Sequence, residues 1–118
     1  MVLVMAFVIG TLFAGATYMI LRRSVVKLIL GLMLLSHGVN LMIFVVGGIR
    51  RGASPILGVA EQPAPDLTTS ADPLPQALIL TAIVISFGIT AFLLALAYRA
   101  DQAIGTDDLD QMTTTDVL

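Results

Sequence analysis

Charge is scarce in this sequence, and its placement matters more than its amount. Only six of the 118 residues are basic and eight acidic, and no acid falls within the three long apolar runs at residues 1–21, 28–49 and 76–98. Cysteine and tryptophan are absent, and histidine occurs once, at His37. Each absence excludes something. Without cysteine there is no disulfide framework, no thiol chemistry and no iron–sulfur ligation. Without a basic patch there is no footprint for nucleic acid. Self-sufficient proton-coupled carriers and rotor rings need an intramembrane carboxylate to hold and release an ion, so copies of this chain alone are not expected to form a complete transporter. Metal-ligand clusters, phosphate-binding glycine loops and a nucleophile–base pair are also missing, so neither catalysis nor a cofactor is expected.

What is present is apolar. Hydrophobic residues make up 58% of the chain, charged ones 12%, and the mean hydropathy is +1.00, which together describe a membrane protein. Each of the three runs is long enough to cross a bilayer as a helix. The fold class is therefore all-α integral membrane with three transmembrane helices. Ala14-Gly15-Ala16 has the small residues of a signal-peptidase site, but no basic residue precedes the run and Arg22-Arg23 follow it; a retained first helix is expected.

Residues 22–27 form a basic connector too short for anything but an antiparallel hairpin of the first two helices. Residues 50–75 contain Pro55, Pro63, Pro65, Pro73 and Pro75, which cannot sustain a helix, so this stretch reads as an extramembrane loop. Asp72 and Pro73 suit the start of the third helix. Residues 99–118 form an acidic tail, expected to be solvated and mobile. Arg22, Arg23, Lys27 and Arg99 lie on one side and Arg50 and Arg51 on the other. The positive-inside rule then puts the N-terminus and the long loop outside, and the first connector and the C-terminus in the cytoplasm.

Two features carry chemistry or packing. Ala6, Gly10 and Ala14 on the first span, and Ala82, Ser86 and Thr90 on the third, recur every four residues; such grooves of small side chains let membrane helices approach closely. Near the centre of the second span, Asn40 lies one helical turn from both Ser36 and His37, so the three form one polar patch. In one reading the patch hydrogen-bonds to a neighbouring helix and fixes its register. In the other, His37 exchanges a proton or holds water in a hydrated track, with Asn40 orienting it.

The segments GLMLLSHGVNL (31–41), RGASPIL (51–57), DPLPQALILTAIVISFGIT (72–90) and DDLDQM (107–112) together resemble the C subunit of the Mrp-type, or Mnh-type, multisubunit Na⁺/H⁺ antiporter. The resemblance implies a bacterial inner-membrane protein within a hetero-oligomer of several membrane subunits that exports sodium in exchange for protons. That family is in turn similar to the three-helix K subunit of respiratory complex I, whose second and third helices carry membrane-embedded glutamates. The second-helix position aligns with Met33, and the third helix has only neutral residues around Ser86, Gly88 and Thr90. His37 lies one turn beyond Met33 on a similar face and is the candidate for a displaced titratable group. Under the same resemblance the Asp107-Asp108-Leu109-Asp110 stretch either docks on a basic cytoplasmic surface or is a solvated acidic tail. The alternatives are a K-like membrane subunit of a quinone-linked or hydrogenase complex, and a free-standing structural or assembly protein.

Overall fold

The computed structural model describes residues 1–50, 52–55 and 70–112. Arg51, Glu61, Pro63, Pro65, Asp66 and Asp116, and with them Ile56 and Leu57 of the 51–57 segment, lie outside the described residues. The chain forms three helices, α1 (Val2–Ile20), α2 (Val25–Val46) and α3 (Pro73–Ile104), followed by a 3₁₀ turn at Leu109–Gln111. All three helices are long and apolar enough to span a membrane.

The helices do not coincide with the apolar runs, and local chemistry explains the offsets. Ser24 adopts extended backbone and its hydroxyl accepts from the Lys27 N–H at 3.4 Å, so α2 begins at Val25 and takes Lys27 into its first turn. The link between α1 and α2 is correspondingly shorter than residues 22–27. At its other end α2 stops at Val46, before Gly47, and Gly48 takes a φ of +84° that glycine tolerates without strain. Asp72 caps α3, its carboxylate accepting from the Leu74 N–H at 2.9 Å, and Pro73 occupies the first helical position, where no N–H is needed. This helix runs past the apolar stretch 76–98 to Ile104 and ends at Gly105, which is left-handed at φ +73°. With 32 residues α3 is ~48 Å long, well beyond the ~30 Å hydrocarbon core.

The chain measures 72 × 30 × 17 Å, a flat slab in which α2 packs on both α1 and α3. It has almost no interior: Ala16, Ile29 and Ala71 are the buried apolar side chains among the described residues, while large ones such as Phe7, Phe87 and Phe92 are exposed. In water such a surface would aggregate; in a membrane it faces lipid or neighbouring subunits.

The hairpin of α1 and α2 is closed by glycine. Gly31 and Gly38, seven residues and about two turns apart, share one face of α2, and both are buried. A Cβ at Gly31 would stand 2.8 Å from Ile20 Cγ1 and 3.0 Å from the Ala16 carbonyl oxygen; at Gly38 it would meet the Phe13 ring at 3.1 Å. Ala6, Gly10 and Ala14, by contrast, are exposed, and nothing lies within 4 Å of a Cβ built on Gly10. Among the described residues the groove on the first span is therefore exposed and not the face that packs on α2.

Candidate functional site

The opposite face of α2 turns toward α3. At about 100° per residue, Met33, Ser36, His37 and Asn40 cluster about 180° round the helix from Gly31. They line a cleft of ≈ 390 Å³, with Ile83, Ser86, Phe87 and Thr90 of α3 on the other wall. Ser36 Oγ and Ser86 Oγ are hydrogen-bonded across the cleft at 2.8 Å. His37 is the thirteenth residue of α2, roughly 18 Å from its start and so near mid-bilayer depth. Among the described residues the side chains of His37, Asn40 and Thr90 make no hydrogen bond within the chain, and all three are accessible from the cleft. The site thus offers a ring nitrogen pair, an amide and a hydroxyl inside largely apolar walls.

The cleft is bounded by ties at both ends of α2. At one end Gly47 touches Pro75, with the site of a Cβ on Gly47 only 2.8 Å from Pro75 Cβ; this proline thus packs against α2 as well as standing in the first turn of α3. At the other end the tail folds back onto the α1–α2 link. Ser24 and Asp108 form an isolated antiparallel bridge, with the Val25 N–H donating to the Asp107 carbonyl at 3.2 Å and the Leu109 N–H to the Arg23 carbonyl at 2.8 Å. The Asp107 carboxylate accepts from the Ser24 hydroxyl and, at 3.2 Å, from the Val26 N–H. Arg23 pairs with Asp110. The Ser24 hydroxyl holds the Asp107 carboxyl below the ordinary aspartate range, helped by the Val26 and Val25 N–H groups and by Lys27 and opposed by desolvation. The segment 107–111 is therefore a docked strap on the basic α1–α2 link, which favours the docked reading of the tail over the mobile one, although Asp107, Leu109, Asp110 and Gln111 stay exposed to solvent; residues 113–118 lie outside the described residues. The reason is local: Gly105 turns the chain back, and the orphan N–H groups at the start of α2 need acceptors.

The three-helix fold is shared with known proteins. The family profile for NADH-ubiquinone/plastoquinone oxidoreductase chain 4L matches residues 4–116. The chain is 49% identical over 116 residues to the C subunit of the Na⁺/H⁺ antiporter of Bacillus subtilis, covering 98% of this chain and 97% of that one. This chain belongs to the family of Na⁺/H⁺ antiporter C subunits. Among solved structures it resembles a chain of the Mrp complex from Dietzia, with a TM-score of 0.69 and 42% identity over 89% of this chain and 74% of that one. It also resembles a chain of the membrane-bound sulfane sulfur reductase, an archaeal respiratory membrane complex, with a TM-score of 0.77 and 30% identity over 92% of this chain and 96% of that one.

For this family member the structure gathers Ser36, His37 and Asn40 with Ser86 and Thr90 around one cleft, and adds Met33 to it. Ala82 is half-buried on α3 but does not line the cleft, and Ala6, Gly10 and Ala14 lie apart on α1. Two functional elements escaped the sequence reading. The seven-residue spacing of Gly31 and Gly38 was a usable signal for a close helix contact. The pairing of Ser24 with Asp107 bridges 83 positions in sequence, and nothing local announces it.

Proposed function

We propose that this chain is a non-catalytic membrane subunit of a hetero-oligomeric Na⁺/H⁺ antiporter, one that holds neighbouring subunits together and presents the polar cleft to them. The observation that carries this reading is likeness along nearly the whole length to a protein named as the C subunit of a Na⁺/H⁺ antiporter. Physical chemistry supports it. A flat slab with large apolar side chains exposed and almost no interior suits a spacer between membrane partners better than a solitary channel. With no carboxylate in the apolar runs, the groups that bind and release the transported cation belong to other subunits, and the same scarcity leaves the chain without catalytic residues of its own. The basic residues at one end of the slab favour the connector and tail in the cytoplasm of a bacterium, with the N-terminus and the loop after α2 outside.

Affinity purification of this chain from its native membrane in mild detergent, followed by identification of associated chains, tests the proposal. Antiporter subunits are expected, and the pure chain in vesicles should show no sodium-dependent proton flux. Robust flux from the chain alone would overturn the subunit reading. Reporters fused after Leu118 test the orientation: one active only in the cytoplasm should work and one active only after export should stay silent. A second reading, a K-like subunit of a respiratory membrane complex, is favoured by the likeness to the sulfane sulfur reductase chain. Recovery of redox subunits in place of antiporter subunits would decide for it. Met33 and the neutral residues of α3 on the cleft weigh against it.

A further inference from the structure

The polar side chains of the three apolar runs fall into two groups. Thr11, Thr17 and Thr81 turn back on their own helices and donate to the Val8, Phe13 and Ala77 carbonyls at 2.8, 2.8 and 3.0 Å. Ser36 and Ser86 bond to each other, and Tyr18 and Tyr98 bond to Arg22 and Gln102 one turn on. These groups cost little in hydrocarbon because each is satisfied inside the chain. His37, Asn40 and Thr90 are not, and all three converge on the α2–α3 cleft. The remaining exception among the described residues, Gln76, stands in the first turn of α3, at the water's edge.

We propose that this cleft seats the carboxyl group of an acidic side chain carried by a transmembrane helix of a partner subunit. The inference rests on the subunit reading and deepens it. The lining offers an imidazole N–H, an amide NH₂ and a hydroxyl as donors to a carboxylate's two oxygens; each group can also accept, so the sign of the occupant is set by the imidazole being a base. His37 and Asn40 are three residues apart on one helix, about 5–6 Å between their Cβ atoms, a spacing that lets each address one oxygen of the same group. The single titratable group in the chain's apolar runs, tyrosine apart, is a base, and ionisable groups inside membranes are paired with one another far more cheaply than left to lipid. No acid of this chain lies within the apolar runs to serve as that partner. The cleft is open to the surroundings and His37 is exposed, so the side chain of a helix lying alongside can reach in.

The absence of cysteine makes the occupant testable with a single introduced thiol. Thr90→Cys is treated with a maleimide in the purified whole complex and in the isolated chain in the same detergent. Protection of at least about tenfold in the complex is expected if a partner side chain fills the cleft. Equal reactivity in the two preparations, fast because water fills the cleft or slow because the cleft is shut, overturns the proposal. The sign of the occupant is read from His37→Lys and His37→Glu. Lysine keeps a cation opposite the acid, and the complex should be recovered within about twofold of the parent. Glutamate sets acid against acid, and recovery should fall about tenfold. Equal recovery of the two variants, high or low, overturns the acidic assignment. Should His37→Lys assemble, a hydrophobic carbodiimide should activate the partner's carboxyl and let the lysine amine displace the urea, leaving an amide cross-link found by mass spectrometry; an assembled variant that forms no such link also overturns it. Failure of the subunit reading is distinct, since the unaltered chain would then co-purify with no antiporter subunits at all.

Discussion

Gly31 and Gly38 let α1 approach one face of α2 until side chains meet backbone, whereas Ser36, His37 and Asn40 on the opposite face line an open cleft against α3. The two interfaces use the two means available in lipid, where no hydrophobic force drives helices together: close steric fit and polar contact. The first is complete within the chain. The second is tied by the Ser36–Ser86 bond, the Gly47–Pro75 contact and the 107–111 strap, and still leaves three polar side chains unanswered. A fixed hairpin and an incomplete interface on one helix are what a subunit needs if it is to arrive folded and still have something to bind.

The sharpest way to break this contrast is to fill the glycine face. A Cβ at Gly31 would already press on the Ala16 carbonyl and the Ile20 N–H, both at 3.0 Å, and backbone cannot rotate aside as a side chain can. Gly31→Ile should therefore cost near the upper end of the roughly 1–3 kcal/mol typical of overpacking, or separate α1 from α2. Titration of the purified chain with a denaturing detergent, followed by helix content, measures it. Gly10→Ile is the control, expected to leave the isolated chain unchanged because nothing lies within 4 Å. A loss as large as that of Gly31→Ile would show that the face assignment on α1 is wrong.

The same pair of glycines shows how far the sequence was legible. Three apolar runs without acids suffice for three membrane helices, because length and hydropathy leave no other structure that satisfies the backbone in lipid. The hairpin follows from the short connector. Patch geometry was readable too, since i, i+3 and i, i+4 neighbours share a face in any helix. Which small residues pack within the chain and which are left for partners was not, because Ala6, Gly10 and Ala14 are exposed in the chain although they carry the same kind of spacing signal. Periodicity shows that a face exists and cannot say what lies opposite. Helix ends depended on Ser24, Asp72 and Gly105, whose capping chemistry extends past the last apolar residue.

The next largest effect is expected at the strap. Ser24→Ala removes both the acceptor for the Lys27 N–H and the donor to Asp107, and loss of such a cap typically costs about 0.5–2 kcal/mol. Amide exchange of residues 107–111 should speed up accordingly. The pH dependence follows from Asp107. Its carboxyl is held below its unfolded value, so its contribution is fully present above the ordinary aspartate range and is lost as pH falls through the lowered value. Docking should thus be flat across neutral pH and loosen only in acid. Asp107→Asn should loosen it at neutral pH and abolish the acid transition; an acid transition that survives this change would assign it to another group.

Within the cleft a smaller effect is expected from Ser86→Ala, which leaves Ser36 without its partner at 2.8 Å. Interhelical bonds in membranes average about 0.6 kcal/mol by double-mutant cycles, and Ser36 retains the option of bonding back to its own helix. The double variant with Ser36→Ala should therefore cost little more than either single one. Additive losses, measured in the same detergent titration, would mean that the two hydroxyls act separately.

The smallest effect is expected where the electrostatics look most inviting. Arg23 and Asp110 form an ion pair, yet their side chains are 76% and 55% exposed, and pairs so solvated are worth about 0–1 kcal/mol and are screened by salt. Arg23→Ala moreover leaves the Arg23 carbonyl in place, and that atom, accepting from the Leu109 N–H at 2.8 Å, is what the strap uses. The backbone exchange around Ser24 and the Ser24–Asp107 bond survive the substitution. Amide exchange of residues 107–111 should change less than twofold, and raising the salt concentration should move the unaltered chain by no more than that. If Arg23→Ala instead frees the strap as fully as Ser24→Ala does, the ion pair and not the backbone holds the tail.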